Sequence, residues 1–164
     1  MKVFVTSDNH FYHKNIIWFS NRPFKDVEEM NQTMIDKWNK KVTNDDLVIH
    51  LGDFAFASSA KIKEVRKKLN GTIFLIKGNH DKAFKMRRLG FIVVNGELQM
   101  GNLLLSHKPV YADGLINVHG HIHQRKSYHG INACVDVTNF EPVPIENYFN
   151  QAQKMLRYKF DKMH

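Results

Sequence analysis

Short β-branched and apolar segments alternate with amphipathic segments through the first half of the chain, and this alternation limits the possible folds more than any other feature. Strands are predicted at residues 1–6, 46–51 and 72–77. They are separated by a helix that starts at Asp26, with Glu29 at capping-box spacing, and by a lysine-rich helix that ends at Asn70-Gly71. Strands that alternate with helices in this way are typical of an α/β domain.

The second half of the chain carries more strands and fewer helices, so we expect it to be more antiparallel. A hairpin is predicted at residues 91–100, because the turn dipeptide Asn95-Gly96 divides two short apolar runs. Further strands are predicted at residues 103–105, 115–118 and 133–137, and a final helix at residues 145–156. The chain shows no linker or repeat, which predicts a single domain over residues 1–164 with a basic tail at residues 157–164.

The composition excludes several classes of protein. Cys134 is the one cysteine among 164 residues, which rules out a disulfide framework or a cysteine-rich zinc module and fits a reducing compartment. No apolar stretch has the length of a signal peptide or a membrane span, so we expect a cytoplasmic protein that does not cross a membrane. The net charge of +8 favours an anionic partner.

Aspartate, asparagine and histidine follow directly after the predicted strands. The positions are Asp8, His10, Asp53, Asn79, His80, His107, His121 and His123. Ligand sites of α/β sheets form at the carboxyl ends of strands, where the connecting loops converge. We therefore expect these side chains to meet in one site. Members of the pairs Asp8/His10 and His121/His123 are separated by one residue and would project to the same side of an extended chain.

This set of nitrogen and oxygen ligands is larger than one tetrahedral ion requires, so it favours two metal ions. Two neighbouring ions need a bridging group, and a carboxylate can bridge through both of its oxygens. Asp53 is the expected bridge, because Gly52 before it allows the backbone to pass close to the ions. Each residue taken singly fits an ordinary surface side chain better, but the recurrence of ligand types after successive strands favours a metal centre.

Five motifs occur in order along the chain and carry a family resemblance. They are Asp8-x-His10, Gly52-Asp53, Gly78-Asn79-His80-Asp81, His107 after an apolar strand, and Gly120-His121-Ile122-His123. With these motifs the chain resembles the calcineurin-like metallophosphoesterases. The segments at residues 7–13, 21–24 and 106–109 further resemble a small single-domain subgroup from bacteria and phages.

The resemblance implies a fold of two sheets packed as a sandwich and flanked by helices, in a four-layer αββα arrangement. It also implies a pair of divalent cations held at the motif positions. By this resemblance, Asp8, His10 and His123 would bind one ion, Asn79, His107 and His121 the other, and Asp53 both. We expect manganese, while iron, nickel, zinc and cobalt also suit mixed nitrogen and oxygen ligands.

The implied reaction is hydrolysis of a phosphate ester, with a diester favoured over a monoester. A hydroxide between the two ions would attack phosphorus in line with the leaving oxygen. His80 is the expected proton donor to that oxygen, and Asp81 is expected either to hold the His80 imidazole or to cap the short helix that follows. His13 and Arg22, in a loop-like segment after the first strand, are expected to contact the substrate phosphate. A surface ion pair is the alternative for Arg22, and a supporting or surface position is the alternative for His13.

We expect no catalytic role for the remaining histidines. His50 is predicted to be a core histidine with satisfied hydrogen bonds, and His119 is predicted to support the turn that follows it. His129 and His164 have no assigned role.

Two alternatives to an esterase of small substrates stay open at this point. Basic side chains at residues 61–68 could contact a nucleic-acid backbone, which would make the enzyme a nuclease, although a helix with one apolar stripe ordinarily exposes a charged face. A non-catalytic binding or scaffold module on the same fold is the other alternative, and no expected ligand is missing to support it. Phosphate esters, with nucleic acids among them, are the expected partners, and we expect no membrane and no obligate protein partner.

Overall fold

The computed structural model describes residues 1–128 and 130–163, so His129 and His164 lie outside the described residues. Its strands are β1 (Val3–Thr6), β2 (Leu47–His50), β3 (Thr72–Ile76), β4 (Ile92–Val94), β5 (Leu98–Met100), β6 (Leu103–Ser106), β7 (Ile116–His119), β8 (Gly130–Asn132) and β9 (Val143–Pro144). Its helices are α1 (Lys14–Phe19), α2 (Val27–Lys41), α3 (Ser59–Lys68), α4 (Ala83–Arg88) and α5 (Ile145–Met163), with a 3₁₀ turn at Val135–Val137. These elements form a mixed α/β fold of two sheets flanked by helices, which confirms the expected architecture.

Both sheets combine parallel and antiparallel strands. The first sheet has the order β4-β3-β2-β1-β9, in which β1 to β4 are parallel and the edge strand β9 is antiparallel to β1. The second has the order β5-β6-β7-β8, in which β6, β7 and β8 are parallel and β5 is antiparallel. The expectation of an antiparallel second half is therefore wrong for β6 to β8, because a longer loop and not a tight turn leads from each of these strands to the next.

The strands around Asn95-Gly96 do not form the predicted hairpin. β4 pairs with β3 in the first sheet, whereas β5 pairs with β6 in the second. The Asn95-Gly96 dipeptide, with a φ of +88° at the glycine, instead turns the chain from one sheet into the other. The tight hairpin comes one strand later, where Gly101-Asn102 joins β5 to β6.

Alternate side chains of the first sheet enter two hydrophobic cores. Phe4 packs into one core with Met34 and Trp38 of α2, which explains the apolar stripe of that helix. On the opposite face, Val5 packs into the second core with Val118 of β7 and with residues of α5. The first sheet is thus buried on both faces, and the two cores keep its strand ends next to those of the second sheet.

One predicted helix boundary is confirmed and another is wrong. The Asp26 carboxylate accepts a hydrogen bond from the Glu29 N–H at 2.8 Å and caps α2, as the spacing predicts. Helix α5 continues to Met163, through most of the segment predicted as a tail, because no glycine or proline interrupts it. Its predicted end at residue 156 is therefore wrong.

Two further local predictions need correction. Residues 133–137 do not form a strand: a single bridge joins Ser7 to Cys134, and the 3₁₀ turn follows. Helix α1, which the sequence did not indicate, begins after His13 without a side-chain cap. A short helix without a cap carries little local signal, so packing determines it.

Candidate metal centre

Loops after strands of both sheets bring the predicted ligands together in two adjoining groups. One group is Asp8, His10 and His123, and the other is Asp53, His107 and His121; within each group the ligand atoms lie within 4.8 Å of one another. Asn79 joins the second group, because its side-chain amide lies 3.3 Å from Nδ1 of His121. The structure thus gathers all of the predicted ligands at one end of the two sheets.

Asp53 lies between the two groups. Its Oδ2 is 3.7 Å from Nε2 of His10 in the first group and 3.6 Å from Nε2 of His107 in the second. Its Oδ1 accepts a hydrogen bond from the His80 N–H at 2.9 Å. A single oxygen therefore faces both groups, which differs from the expectation that both oxygens would bridge.

The backbone at most of these positions is left-handed, a conformation that residues other than glycine rarely adopt. The φ angle is +58° at Asp8, +51° at His10, +56° at Asp53, +70° at His121 and +52° at His123. The paired ligands therefore meet because the chain turns at each of them, and the assumption of an extended chain is wrong. Such backbone strain costs about 1–3 kcal/mol per residue and is characteristic of functional sites.

Gly52 allows the loops of the two sheets to approach each other. Its φ is +102°, and a Cβ at this position would lie 2.6 Å from Nδ1 of His107 and 2.6 Å from Cα of Gly78. A side chain would push the loops after β3 and β6 away from Asp53. The glycine therefore serves the packing of the ligand loops against one another.

Two of the predicted ligand histidines are oriented by hydrogen bonds from the nitrogen that points away from the centre. His107 Nδ1 donates to the Leu51 carbonyl at 2.8 Å, and His123 Nδ1 donates to Asp136 Oδ2 at 2.9 Å. In both rings Nε2 is left as the acceptor. Partners of this kind fix the tautomer of a metal-binding histidine.

Several buried polar atoms at the centre have no hydrogen-bond partner. Among the described residues, Nε2 of His107, both ring nitrogens of His10 and Oδ1 of Asp8 are buried and have no hydrogen-bond partner. An unpaired buried acceptor is costly in free energy. Imidazole nitrogens and carboxylate oxygens are ligands of divalent transition metals, so this set of donors fits a pair of such cations.

The other oxygen of Asp8 is occupied by protein donors. Oδ2 accepts hydrogen bonds from Ser7 Oγ at 2.5 Å, from the His121 N–H at 2.9 Å and from Cys134 Sγ at 3.2 Å. Burial by itself would raise the pKa of Asp8, but the interactions with His10 and Ser7 hold this pKa well below its usual range. Asp8 is therefore a carboxylate at neutral pH with Oδ1 directed at the centre.

His80 and His13 both border the centre. Their rings lie 5.6 Å from the ring of His10, measured between centroids. The His80 side chain is 43% exposed, and its Nε2 lies 3.9 Å from Oδ2 of Asp53. His13 is half-buried; burial, followed by the charges of His10 and His80, lowers its pKa. Both residues therefore lie where the sequence predicts, beside the ligands.

Asp81 has neither of its two predicted roles. Its Oδ2 accepts hydrogen bonds from the N–H groups of Asp53 at 2.7 Å and Gly78 at 3.0 Å, and its Oδ1 from that of Phe54 at 3.2 Å. It does not hold the His80 imidazole, and α4 has no side-chain cap. Burial raises the pKa of Asp81, and the backbone hydrogen bonds partly offset this effect. The carboxylate instead joins the loops after β2 and β3.

Arg22 does not extend towards a substrate. The residue is 4% exposed. Its Nε and Nη2 donate to the Asp136 carboxylate at 2.9 and 3.0 Å, and its Nη1 and Nη2 donate to the carbonyls of Asn9 and Asp8 at 2.8 and 2.7 Å. These contacts use four of the five N–H groups, and Nη1 also lies 3.5 Å from Sδ of Met30. The predicted contact with substrate is therefore wrong, and so is the alternative of a surface ion pair.

Asp136 supports the candidate centre, although the sequence did not predict it. Its carboxylate joins Arg22 to His123, a member of the first ligand group. Burial alone would raise the pKa of Asp136, but the His123 hydrogen bond and the Arg22 charge lower it. The available signal was an aspartate inside the apolar run at residues 133–137, since a buried carboxylate requires a partner.

Two neighbouring histidines have the structural roles that the sequence predicts. His50 is buried, with Nε2 2.9 Å from Asn9 Oδ1 and Nδ1 accepting the Gly52 N–H at 3.1 Å. Burial lowers the pKa of His50 to about 3. His119 Nε2 lies 2.7 Å from Ser127 Oγ, which ties β7 to the loop that carries the last ligands.

The basic face of α3 is solvated. Ile62 and Val65 face the core, while the lysines of the helix are exposed. Lys68 pairs with Glu64 at 2.7 Å, and Arg66 donates to backbone carbonyls at the end of the helix. These contacts favour an ordinary charged face over a nucleic-acid contact on this helix.

The sequence model for calcineurin-like phosphoesterases matches residues 1–161 and so includes every loop of the centre. The chain belongs to the calcineurin-like phosphoesterase family. Because this calcineurin-like phosphoesterase also has two groups of possible metal ligands, it is a metal-dependent hydrolase of phosphate esters.

The chain is also similar to proteins from several organisms. The phosphoesterase is 39% identical, over 88% of each chain, to the uncharacterized protein MJ1445 of Methanocaldococcus jannaschii. Its fold is similar to that of the protein of unknown function AQ665 from Aquifex aeolicus, with a TM-score of 0.75, 23% identity, and coverage of 92% of this chain and 98% of that one. It is also similar to nuclease MPE of Pseudomonas putida, with a TM-score of 0.56, 22% identity, and coverage of 74% and 61%. Within the described residues, no helix has the length and hydropathy needed to cross a bilayer.

Proposed function

We propose that this phosphoesterase hydrolyses phosphodiesters at a dinuclear metal centre. In this proposal Asp8, His10 and His123 hold one ion, Asn79, His107 and His121 hold the other, and Asp53 contacts both. The proposal depends on one observation, the position of Asp53 Oδ2 at 3.7 and 3.6 Å from ring nitrogens of the two groups. A shared carboxylate oxygen offsets the repulsion between two neighbouring cations.

When bound, two divalent ions would supply positive charge opposite the phosphoryl oxygens and would lower the pKa of water towards neutrality. Manganese is the proposed ion, and the same ligands suit iron, nickel, zinc or cobalt. The protein holds the ligands ready for these ions through Asp81 behind Asp53 and through Asp136 behind His123.

His80 is the proposed proton donor to the leaving oxygen. Its imidazole is 43% exposed and 3.9 Å from Asp53 Oδ2, so the ring can reach an ester at the centre from the solvent side. The hydrogen bond from its N–H to Asp53 Oδ1 fixes the backbone at this position. Protonation allows an alcohol to leave in place of a poor alkoxide.

His13 is proposed to form a hydrogen bond with an oxygen of the substrate. Its Nδ1 is buried and has no partner among the described residues. Because burial and the neighbouring histidines lower its pKa, the ring is neutral at neutral pH. It can then orient an ester oxygen without adding charge.

A diester is the proposed substrate class because the arginine expected to bind phosphate is used inside the protein. A phosphomonoester carries a further negative charge, which proteins commonly meet with a forked guanidinium. Arg22 binds Asp136 and two carbonyls and is 4% exposed, so it does not supply that contact.

We also propose that residues 1–164 form one domain that works in the cytoplasm. The free thiol of Cys134 is buried against Asp8, which suits a compartment where thiols stay reduced.

The proposed function is tested by hydrolysis assays on protein stripped of metal and reloaded with one metal at a time. We expect manganese to restore hydrolysis of bis(p-nitrophenyl) phosphate, a chelator to abolish it, and p-nitrophenyl phosphate to be the poorer substrate by kcat/KM. A preference for the monoester would contradict the diester assignment. An absence of turnover on both esters with every metal would contradict the catalytic function and favour the scaffold alternative.

A further inference from the structure

Aromatic rings extend from the metal centre across the surface in a continuous series. The series, here named the aromatic track, is His80, Phe56, His13, Phe19 and Trp18. Neighbouring ring centroids are 5.7, 4.8, 6.3 and 5.9 Å apart in that order. The track starts at the centre itself, because His80 is one of the residues that border the ligands.

The apolar members of the track are unusually exposed. Phe56 is 55% exposed, Phe19 65% and Trp18 83%. Large aromatic side chains that group together on a surface have a cost in water and mark sites of binding. Phe56 occupies the most informative position, because it touches both His13 and His80 and still presents more than half of its surface to solvent.

Lysines accompany the track on both sides of Phe56. On one side, Phe56 and His80 line a pocket of about 330 Å³ together with Lys82 and Lys85. On the other side, Phe56 and His13 line a pocket of about 210 Å³ together with Lys14. Lys14 and Lys82 are exposed.

Two carboxylates beside the track are engaged by backbone N–H groups. Asp26 lines a pocket with Trp18 and Lys14 and accepts the Glu29 N–H at 2.8 Å. Asp81 lines the first pocket but is buried, and both of its oxygens accept backbone hydrogen bonds. The surface therefore combines exposed ring faces with the exposed Lys14 and Lys82, whereas Lys85 donates to the Ala57 carbonyl at 2.8 Å. That combination is suited to a ligand that alternates flat bases with phosphates.

We propose that the aromatic track binds single-stranded nucleic acid, with bases stacked on Phe56, Phe19 and Trp18 and phosphates facing Lys14 and Lys82. This inference names the substrate class of the phosphodiesterase proposed above and rests on that function. A duplex does not satisfy the same surface, because pairing and stacking cover its base faces. An apolar peptide or lipid would leave the lysines without anionic partners.

The direct test is binding of short oligonucleotides to metal-free protein, measured by fluorescence anisotropy. The probes are a labelled oligothymidylate, the same phosphate backbone made of abasic units, and a duplex of equal length. We expect the single strand to bind about tenfold tighter than the abasic strand, equivalent to about 1.4 kcal/mol of stacking, and tighter than the duplex. Equal affinity for the base-bearing and abasic strands, or tighter binding of the duplex, would overturn the proposal.

Variants then assign the preference to the track. Phe56→Ala should reduce the preference for oligothymidylate over the abasic strand, with Phe19 and Trp18 left to stack bases, while Phe56→Trp should retain the full preference. Tyr158→Ala is the matched control, because Tyr158 is 61% exposed on α5, outside the track, and its removal should change nothing. An unchanged preference in a folded Phe56→Ala protein would contradict the assignment.

Tryptophan fluorescence supplies a second readout. Trp18 is 83% exposed, whereas Trp38 is fully buried and donates to the Asn70 carbonyl at 3.0 Å. Oligothymidylate should therefore quench Trp18 alone, and Trp18→Phe should remove the quenching while keeping the binding. Quenching that persists in Trp18→Phe would contradict stacking at this position.

The binding assay and the hydrolysis assay separate the two proposals. Metal-dependent hydrolysis of bis(p-nitrophenyl) phosphate without any preference for bases would overturn the aromatic track and leave the phosphodiesterase intact. A clear preference for bases without hydrolysis of any diester would overturn the phosphodiesterase.

Discussion

Several of the expected ligands use one atom to face the expected ions and another to form a hydrogen bond that fixes the side chain. Asp8 directs Oδ1 inward while Oδ2 accepts protein donors, and Asp53 does the reverse with its two oxygens. His107 and His123 follow the same rule with their ring nitrogens. Substitutions of binding residues should therefore remove metal, whereas substitution of a proton donor should reduce only the rate.

His80→Asn is expected to retain the metal content of the wild type and to lose about 10²- to 10⁴-fold in kcat, because it removes a general acid. The loss should be large for a diester with an alkoxide leaving group and small for one that releases p-nitrophenolate, which departs without a proton. Metal analysis and kcat on the two esters measure both effects. Loss of metal would identify His80 as a ligand, and an equal loss on both esters would contradict proton donation.

The buried His50 should make the free energy of unfolding depend on pH. Its pKa is about 3 in the folded protein and 6.5 for an ordinary histidine, so the unfolded chain takes up a proton at pH values where the folded protein does not. The free energy of unfolding should therefore fall as the pH decreases from 6.5 towards 3, with a contribution of about 1.4 kcal/mol per pH unit from this one group. Its protonation should also break the hydrogen bond from the Gly52 N–H.

The measurement is urea unfolding of metal-free wild type and His50→Gln at several pH values below 6.5. We expect the difference in the free energy of unfolding between the two proteins to change by about 1.4 kcal/mol per pH unit, which is the contribution of one proton. Parallel pH profiles for the two proteins would contradict a neutral, buried His50.

Among the elements, the loop after β1 and the loop after β7 are joined by one buried ion pair. Arg22 contacts the carbonyls of Asp8 and Asn9 in the first loop, and Asp136 contacts both Arg22 and His123. Both side chains of the pair are fully buried. Removal of one partner leaves an unpaired buried charge, which is far more costly than the loss of a pair at the surface.

Asp136→Ala should consequently lower the free energy of unfolding by about 3–5 kcal/mol, and it should weaken metal binding about 10- to 100-fold by releasing His123. Glu141→Ala is the control, because it breaks the half-buried Lys41–Glu141 pair of 2.7 Å and should cost about 0–1 kcal/mol. Urea unfolding and metal titration of both variants provide the comparison. Equal costs for the two variants would contradict the role given to Asp136.

The convergence of the expected ligands could be predicted from sequence because each of them closely follows a strand, and the carboxyl ends of parallel strands share one edge. The supporting residues could not. Asp81 is adjacent to His80 in the chain, yet its carboxylate faces the loop after β2. Arg22 lies in a loop but is buried, because its partner Asp136 is 114 positions away. Neighbours in sequence do not reveal the direction of a side chain or a distant partner.

Strand pairing shows the same limit. The Asn95-Gly96 dipeptide is a strong hairpin signal, but β4 pairs with β3 in the first sheet and not with β5. Long-range pairing therefore determines the position of β4, whereas the local cap by Asp26 determines the start of α2, as predicted.

At the scale of the whole molecule, the centre lies where the two sheets meet. Asp8 and Asp53 follow β1 and β2 of the first sheet, and His107 and His121 follow β6 and β7 of the second. Ions shared by these loops would hold the sheets together at this end, so metal binding and the packing of the sheets depend on each other. Asp53 is the residue on which both depend, because one of its oxygens faces the two groups.

The most direct test is the metal content per chain of manganese-saturated wild type and Asp53→Asn after dialysis, determined by elemental mass spectrometry. The account predicts two ions per wild-type chain, a loss of metal in Asp53→Asn, and no change in Asp45→Asn, which alters an exposed aspartate before β2. A single ion per wild-type chain, or full occupancy in Asp53→Asn, would contradict a centre built around Asp53.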